Sequence, residues 1–584
     1  MYKASDIPTK FESLPNEILL ECFMYFNACQ LFYSFDRLNY RLSRLIQNST
    51  LHVDFSHVRK SIFDRFCKII LKNPQTKDRI YSLHLSNENS HGLIQKFLSS
   101  FSTTEFSHLQ SLKLTIVGDK TIQKLNSIIS SMKELSSLHL NCTGASTHDI
   151  LSSLTTSKLK TLSATSLNRF PLHIDARFSI TNLTISCCDL HHVCHLLASL
   201  PLLNYLNVKR SSGGPESTPY MGLNEKFCAV NLIVMVIDDF QYDFNEIEDF
   251  FNGLPNLKSL TICSADRPTM IDARQWERLI TSSLPHLETF RFRFACDLWS
   301  TDDEILELFQ QFQSDFWLKT HHWYTEYLST GNDKWICTIP CPSYRCDLTA
   351  YYDAHKCTMF SRAANQSRDS MPSERVFQKN REFHFYDIVS LDIMNAETTT
   401  KHSLGINHIK ILKDTVNLSG VCHLFILSDC KLDSASVLLR ILKATPKLSS
   451  IQIDPSALLP LLVDDQLCKY LNRMIKRLDL YMSSYIPAQI FRDPNELKRF
   501  SKAFSNIEVL HCNTNQKTEF KYLLDNLQKL ISLTALIKTL ETRQTISEWL
   551  EKELAKLAKQ NANYDIKYEE RNRMCLVTVN VWMG

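Results

Sequence analysis

The chain has 584 residues and a net charge of +3, with 44% hydrophobic and 22% charged residues. Wholesale disorder is excluded, because disordered chains carry too few apolar residues to offset chain entropy, and no basic excess calls for nucleic acid. Only 11 glycines are present. This argues against nucleotide enzymes, because phosphate-cradling loops need glycine where the backbone closely approaches the ligand.

The N-terminus and the cysteines predict a protein of the cytoplasm or nucleus. Residues 1–8 lack the basic region, apolar run and small-residue cleavage site of a secretion signal. The longest aliphatic run, residues 232–237, is too short to cross a bilayer, so we expect no membrane association. Nineteen cysteines, an odd number spread over a long chain, suit reduced thiols rather than a disulfide framework.

Residues 11–46 predict three short amphipathic helices. Pro15 suits a first helical turn, and Glu17 favours the positive end of the helix dipole. Further amphipathic stretches follow at residues 31–35 and 38–46. A unit this small buries little surface alone, so we expect it to lean on the following domain or on a partner.

This segment resembles an F-box, whose hallmark is Leu-Pro, then Glu-Ile-Leu, then spaced apolar positions. It departs from that pattern in lacking the acidic residue before the second helix's leucine and the Cys-Arg and Trp of the third helix. The resemblance implies that the segment binds the small adaptor subunit of a cullin–RING ubiquitin ligase. An ordinary capped N-terminal helix is the alternative. The implied adaptor-binding residues are Leu14, Pro15, Glu17, Ile18, Leu19, Phe23 and Leu31.

A repeat follows this N-terminal segment, with the pattern apolar-x-x-apolar-x-apolar. It recurs every 21–30 residues, and each alternating stretch predicts a short strand followed by a helix. In rhythm this resembles irregular leucine-rich repeats; a flat α/β fold with a parallel sheet and crossover helices is the alternative. The pattern begins at Ile80, Leu109, Leu135, Leu159, Ile180, Leu203, Leu232, Leu257 and Leu287. We expect its strand positions to be buried, namely Leu112, Leu114, Leu138, Leu140, Leu183, Ile185, Leu206, Val208, Leu260 and Ile262.

An aromatic segment separates this set from a second one. Four of the seven tryptophans, Trp299, Trp317, Trp323 and Trp335, fall within 37 residues. One interpretation is that these tryptophans fill the core of a modified repeat. The other is a partner-binding platform, since tryptophan is enriched at interface hot spots.

The second set has a less regular spacing. Its patterns begin at residues 388, 406, 421, 448, 475 and 507, and the triplet Ile406, Ile409 and Ile411 is interpreted as a strand. The first two intervals, 18 and 15 residues, are too short for complete repeats. A helix and a strand are predicted at the end of the chain.

No motif in the sequence supports catalysis, a cofactor or a resident metal. A nucleophile elbow, a Walker loop and a zincin motif are all missing. The spacing of Cys337, Cys341, Cys346, His355 and Cys357 is not a usual zinc pattern. The denser group Cys187, Cys188, His191, His192, Cys194 and His195 is interpreted as partly exposed side chains where a repeat turns from strand to helix.

Together these patterns predict an α/β protein with a small three-helix F-box-like head and an irregular leucine-rich-repeat solenoid, with curved parallel strands inside and helices outside. The predicted parts are the head (1–50), a first repeat set (51–300), an aromatic and connecting segment (301–385) and a second set with a C-terminal helix and strand (386–584). The resemblance implies a non-catalytic receptor that links a target protein to a cullin–RING ligase. A leucine-rich protein-binding module with no ubiquitin role is the alternative.

The target-binding surface is predicted from strand geometry. In a strand of alternating leucines, the intervening side chains point away from the core. Their basic character in the first set indicates a target with an acidic part. These residues are Lys113, His139, Asn207, Lys209, Arg291 and Arg293, with Phe425, Asp479 and Tyr481 from the second set.

Overall fold

The structure is a computed structural model that describes most of the chain. The described residues are 11–36, 38–101, 106–118, 129, 132–143, 158–164, 179–211, 227–265, 267–296, 302–330, 333–339, 341–342, 345–349, 388–394, 403–426, 430–480, 490–491, 493–514, 516–539, 542–559, 562–571 and 574–584.

The chain divides into two compact units. Unit 1 comprises Met1–Asn182, Ala558–Asn563 and Trp582–Gly584, and unit 2 comprises Leu183–Leu557 and Tyr564–Val581. Both combine helices with parallel strands, so the predicted α/β class is confirmed, and the alternation of strand and helix is that of a solenoid-like α/β fold. Among the described residues, no helix combines the length and apolar character needed to cross a membrane.

Unit 1 begins with three short helices and continues with five parallel strands paired in chain order. The helices are α1 (Asn16–Phe23), α2 (Ala28–Ser34), α3 (Tyr40–Asn48), α4 (Lys60–Lys72), α5 (Pro74–Lys77) and α6 (Leu93–Ser100). The strands are β1 (Leu51–Asp54), β2 (Ile80–Ser86), β3 (Ser111–Gly118), β4 (Ser137–Thr143) and β5 (Thr161–Ala164).

The end of the chain packs within unit 1. The Trp582 indole Nε1–H donates to the Val58 carbonyl oxygen at 3.0 Å, and its ring lies edge-on to Phe63 with centroids 5.4 Å apart. The Lys60 amide donates to the Met583 carbonyl oxygen at 3.0 Å. The last residues therefore cover the N-terminal end of α4.

Unit 2 contains two sheets. In the first, β10 pairs in parallel with β9 and antiparallel with β12, so a hairpin of β11 and β12 ends the parallel run. The elements of this part are β6 (Asn182–Cys187), α7 (Leu190–Ser199), β7 (Tyr205–Arg210), β8 (Val234–Ile237), α8 (Phe244–Asn252), β9 (Ser259–Ser264), α9 (Ala273–Ser283), β10 (Thr289–Ala295), α10 (Asp302–Gln311), a π-helical turn (Phe316–Thr320), β11 (Thr325–Thr330) and β12 (Asp333–Thr338).

The second sheet has the strand order β13-β14-β16-β18-β19-β20-β21-β23-β22, parallel from β13 to β21. Strands β15 and β17 form a separate parallel pair. The elements are β13 (Arg345–Thr349), β14 (Ser390–Met394), β15 (Ser403–Leu404), α11 (Ile406–Thr415), β16 (His423–Ile426), β17 (Lys431–Leu432), α12 (Ala435–Ala444), β18 (Ser450–Ile453), α13 (Pro455–Leu458), α14 (Asp465–Met474), β19 (Arg477–Asp479), α15 (Pro494–Ala503), β20 (Val509–Thr514), α16 (Lys517–Asn526), β21 (Ser532–Thr539), α17 (Arg543–Lys559), β22 (Asn563–Arg571) and β23 (Met574–Trp582).

The strand leucines form the core of the repeats. All ten residues predicted to be buried expose 3% of their surface or less, which confirms the prediction. Polar residues alternate with them, as in β4, where Leu138 and Leu140 are buried and His139 between them is half-buried. Each strand thus contributes one apolar face to a core shared with the neighbouring repeats.

A shared carbonyl sets the register between successive repeats. The oxygen of Gln110 accepts from both the Ser136 and Ser137 amides, each at 2.9 Å. The same two-amide arrangement recurs along the unit 1 strands and in both sheets of unit 2. The repeated acceptors are Gln110, Ser136 and Lys160 in unit 1, and Asn204, Ile233, Lys258, Val389, Cys422, Ser449, Lys476 and Glu508 in unit 2.

These acceptors correct one part of the predicted register. Val389 and Cys422 occupy equivalent positions 33 residues apart, so a single complete repeat fills this interval. The predicted strand at Ile406, Ile409 and Ile411 is wrong, because these residues lie in helix α11. The helical period is carried by Ile409, Leu412 and Val416, which are buried and spaced by three and then four positions.

The aromatic segment contributes core. Trp317 is fully buried and Trp323 exposes 8%, and the Trp317 ring lies 4.8 Å from that of Phe312. The interpretation of these two tryptophans as core is confirmed. Trp335 is half-buried in β12, and Trp299 lies outside the described residues.

Replacing a strand leucine should destabilise the repeats next to it. We expect Leu138→Ala to cost about 2–5 kcal/mol, because the cavity lies in a packed core, and to reduce hydrogen-exchange protection mainly in β3, β4 and β5. Leu71→Ala, at a position that is 49% exposed in the same unit, is the matched control and should change little. Equal loss of protection throughout the chain would indicate one global core.

Candidate protein-interaction site

Arg41 fixes the conformation of the turn that precedes α1. Its guanidinium donates to the carbonyl oxygens of Glu12 and Leu14, both at 2.6 Å, and its Nε–H donates to the Asn16 side-chain oxygen at 2.8 Å. These carbonyls belong to the turn before Pro15. Arg41 therefore connects α3 both to this turn and to the first residue of α1.

An aromatic cluster, in which Phe23 is buried and Phe11 is exposed, links the ends of α1 and α2 to the turn before α1. The Phe35 ring lies 5.5 Å from Phe11, 5.7 Å from Phe23 and 5.7 Å from Phe26. The segment is thus a small folded body.

Asn27 joins this body to the first strand. Its side-chain amide donates to the Asp54 carbonyl oxygen at 2.5 Å, and its side-chain oxygen accepts from the Asp54 amide at 3.1 Å. Phe32 on α2 packs edge-on against Phe66 on α4, with centroids 5.5 Å apart. Together, Asn27 and α2 cover backbone at the edge strand β1 that would otherwise be open to pairing.

The three-helix segment also exposes apolar surface. In the described part of the chain, seven of the fifteen exposed large apolar side chains lie between residues 11 and 40. Isolated exposed apolar residues are ordinary, but contiguous concentrations mark interaction sites. We call these seven residues the head surface: Phe11, Ile18, Met24, Tyr25, Tyr33, Leu38 and Tyr40.

The residues implied by the F-box resemblance divide by exposure. Pro15, Glu17 and Ile18 are exposed and Leu14 is half-buried, so these can reach a partner. The other three, Leu19, Phe23 and Leu31, each expose 1% or less, so within this structure they stabilise the segment instead.

In unit 1, Lys113 and His139 stand on adjacent strands. Lys113 pairs in register with His139 on one side and with His84 on the other. Burial lowers the pKa of His139, and the nearby Lys113 and His84 lower it further. The face between β2 and β4 therefore presents an ammonium beside a neutral imidazole near pH 7.

His84 also orders this face. Its ring lies 3.0 Å from an Asp54 carboxylate oxygen and 3.2 Å from the Thr115 hydroxyl. Burial alone would raise the pKa of Asp54, but hydrogen bonds with His84 and Ser56 outweigh burial and lower it. Asp54 is therefore an anion beside His84.

In unit 2, several predicted target-binding residues already have partners. The Lys209 ammonium contacts the Asp238 carboxylate at 2.6 Å, and the Arg293 guanidinium carbon lies 4.1 Å from the centre of the Trp335 ring. Asn207 is buried, contrary to the expectation that it lines an open face. Arg291 is exposed, so it is the more accessible of the two arginines on β10.

On the second sheet, Phe425 on β16 and Asp479 on β19 flank the strand β18, which lies between them. Phe425 and Asp479 both pair in register with Gln452, from opposite sides. The Asp479 carboxylate lies 3.4 Å from a ring nitrogen of His511. The ninth predicted residue, Tyr481, lies outside the described residues.

Two of the cysteines considered as a zinc group, Cys337 and Cys341, lie close together, with Cys263 beside them. The Cys337 thiol lies 3.8 Å from a Glu326 carboxylate oxygen, and the Cys263 thiol lies 4.0 Å from the Pro342 carbonyl oxygen. Burial raises the pKa of Cys263 to about 12, so its thiol is neutral. The Cys346 side chain, His355 and Cys357 lie outside what the structure describes.

Sequence reasoning missed the residues that hold these surfaces in place. Arg41 and Asn27 act through hydrogen bonds to backbone 27–29 residues away, and Trp335 on β12 meets Arg293 on the adjacent strand β10. No local pattern marks them, because their partners lie far away in the sequence.

Comparison with known proteins gives little to build on. No protein-family model matches the chain, and no curated protein matches it. Among solved structures, the chain is similar to a chain in the crystal structure of the Rad7 and Elc1 complex in yeast. The match covers 76% of this chain and 84% of that one, at 12% identity and a TM-score of 0.27, a value too low to support an argument.

The two arginines of β10 should differ in their contribution to stability. We expect Arg293→Ala to lower the local opening free energy of β10 and β12 by about 1–2 kcal/mol, because it removes a partly desolvated cation–π contact. Arg291→Ala, two residues away and exposed, should change it by less than about 0.5 kcal/mol. Hydrogen exchange of the β10 and β12 amides measures both, and equal effects would contradict the assignment.

Proposed function

We propose that the chain is a non-catalytic substrate receptor, whose three-helix head binds the small adaptor subunit of a cullin–RING ubiquitin ligase. The observation that carries this proposal is the head surface, which gathers nearly half of the described exposed large apolar side chains into 30 residues. It includes Ile18, a residue of the F-box-like motif. The resemblance of Leu14 to Leu19 to an F-box names the partner.

The head surface contributes apolar side chains to the proposed interface. Fully burying one large apolar side chain contributes about 1.5–3 kcal/mol. A micromolar complex needs about 8 kcal/mol net, after the cost of lost motion is met. Because the seven side chains are 38–86% exposed, each contributes only part of that range, and the rim around Pro15 and Glu17 adds to them.

The repeats would hold the target protein. In this proposal the receptor makes no bond itself and acts by raising the effective concentration of target lysines near a conjugating enzyme, so no cofactor is required. The proposed target contacts are the exposed strand-face residues, of which Lys113 and Arg291 are basic and accessible. They suit an acidic segment of a target. We place this activity in the cytoplasm or nucleus.

The rival function is a leucine-rich protein-binding module whose first helices merely cap the repeats. One contact favours it: Asn27 covers the edge strand β1, as a cap would. Capping accounts for the buried side of the head. It gives no reason for the exposed apolar side chains of the head surface, so we prefer adaptor binding.

Charged substitutions on the head surface should abolish adaptor binding without unfolding the chain. The test variant is Ile18→Glu with Met24→Lys, at positions that are 43% and 63% exposed. Each charge agrees with the helix dipole of α1, since Glu lies near its start and Lys at its end. We expect copurification of the purified adaptor with the full chain to fall at least about tenfold, since a charge at an apolar interface costs more than 1.4 kcal/mol.

The matched control is Leu202→Glu with Val463→Lys, at positions that are 50% and 69% exposed in unit 2. It alters net charge equally and should leave adaptor binding and thermal unfolding unchanged. If the wild-type chain does not retain the adaptor, or if both variants retain it equally, the adaptor proposal fails and the capping function stands.

A further inference from the structure

The turn from β6 into α7 brings together several side chains suited to a metal ion. Of the residues that the structure describes, Asp189, His191 and His192 form a group whose ligand atoms all lie within 4.8 Å of one another. A fourth side chain, His195, lies one helical turn further on. We propose that these residues form a surface site for a divalent transition-metal ion, of which zinc fits the donors best.

His191 and His195 form the chelating pair. They are four residues apart on α7, so they lie on the same face of the helix, and both are exposed. Their ring centroids are 4.5 Å apart, with the planes at 69°. Two imidazoles at this spacing are the arrangement by which a helix binds zinc.

Asp189 and His192 place further donors beside this pair. One Asp189 carboxylate oxygen accepts from the His192 amide at 2.8 Å, capping α7, and the other lies 2.6 Å from His192 Nδ1. A carboxylate beside one ring nitrogen fixes the orientation of the imidazole and makes the other nitrogen a better metal donor. Asp189 thus serves both the helix and the candidate site.

The backbone around the group is held in place. The Leu190 amide donates to the Tyr242 hydroxyl at 3.1 Å, and the Cys188 amide donates to the Arg210 carbonyl oxygen at 3.0 Å. Tetrahedral zinc with ligand bonds of ~2.0–2.1 Å needs ligand atoms ~3.3 Å apart. Movements of the partly exposed side chains suffice to close the present separations, while the backbone stays fixed.

The electrostatics of the turn permit a cation. The N-terminal end of α7 is unfavourable for positive charge. The Asp189 carboxylate offsets this cost, and the other donors are neutral when their imidazoles are unprotonated. Imidazole donors select zinc, copper or nickel, whereas magnesium and calcium prefer sets of oxygen ligands. The competing account is that Asp189 and His192 are only a helix cap with an ion pair.

The site is tested with the full chain and two probes, Zn²⁺ by titration calorimetry and Co²⁺ by absorption spectroscopy. We expect one ion to bind, and the cobalt complex to show d–d bands without a thiolate charge-transfer band. The double variant His191→Ala with His195→Ala should bind at least ~10-fold more weakly. A matched double variant at two other exposed histidines, His108→Ala with His286→Ala, should bind as the wild type does.

Asp189→Asn separates the two roles of Asp189. Asparagine caps a helix as well as aspartate does, so the thermal stability should stay unchanged while Zn²⁺ affinity falls about tenfold. Unchanged affinity in the His191 and His195 variant, or a thiolate band that persists in it, would overturn the proposal and leave the helix-cap account.

Discussion

The sharing of one carbonyl oxygen by two amides of the next repeat is the constraint on which the rest of the structure depends. Because the residue before each strand accepts twice, successive strands start level with one another whatever the length of the intervening loop and helix. Apolar positions such as Leu112 and Leu138 then pair directly in register. The polar positions between them, such as Lys113 and His139, are consequently aligned on the other face. Loop length is free to vary, which is why the repeats differ so much in length.

The head is attached to the same sheet. A parallel sheet begins with an unpaired edge strand, here β1, and the head covers it. Asn27 supplies to Asp54 both the donor and the acceptor that a further strand would supply, and Phe32 closes the apolar side against Phe66. Removing the head would therefore expose both backbone and apolar surface of unit 1. Point changes on its outer side are the appropriate probe of function, since they leave this attachment intact. The head thus combines buried side chains that stabilise the repeats with exposed apolar side chains that are available to a partner.

The strand leucines could be predicted from sequence because their period of two is a local pattern that burial reinforces in every repeat. The interval around Ile409 could not, because its apolar spacing suits a helix as well as a strand and only hydrogen bonding decides between them. The contact of Arg293 with Trp335 depends on the antiparallel register of β10 and β12, which joins residues 42 positions apart. Likewise, burial of Leu19 and Phe23 but exposure of Ile18 depends on how α1 packs against α3. Contacts between residues far apart in the sequence, rather than the local pattern, decide which of these side chains are exposed.

The central claim is that the head carries an adaptor-binding surface separate from the repeats. Hydrogen exchange of the full chain, with and without the purified adaptor subunit, tests it most directly. The account predicts added protection confined to α1, α2 and α3 and the loops that join them, with α15, β20 and β21 unchanged. No added protection in these helices at saturating adaptor, or protection that appears in the repeats instead, would contradict the claim.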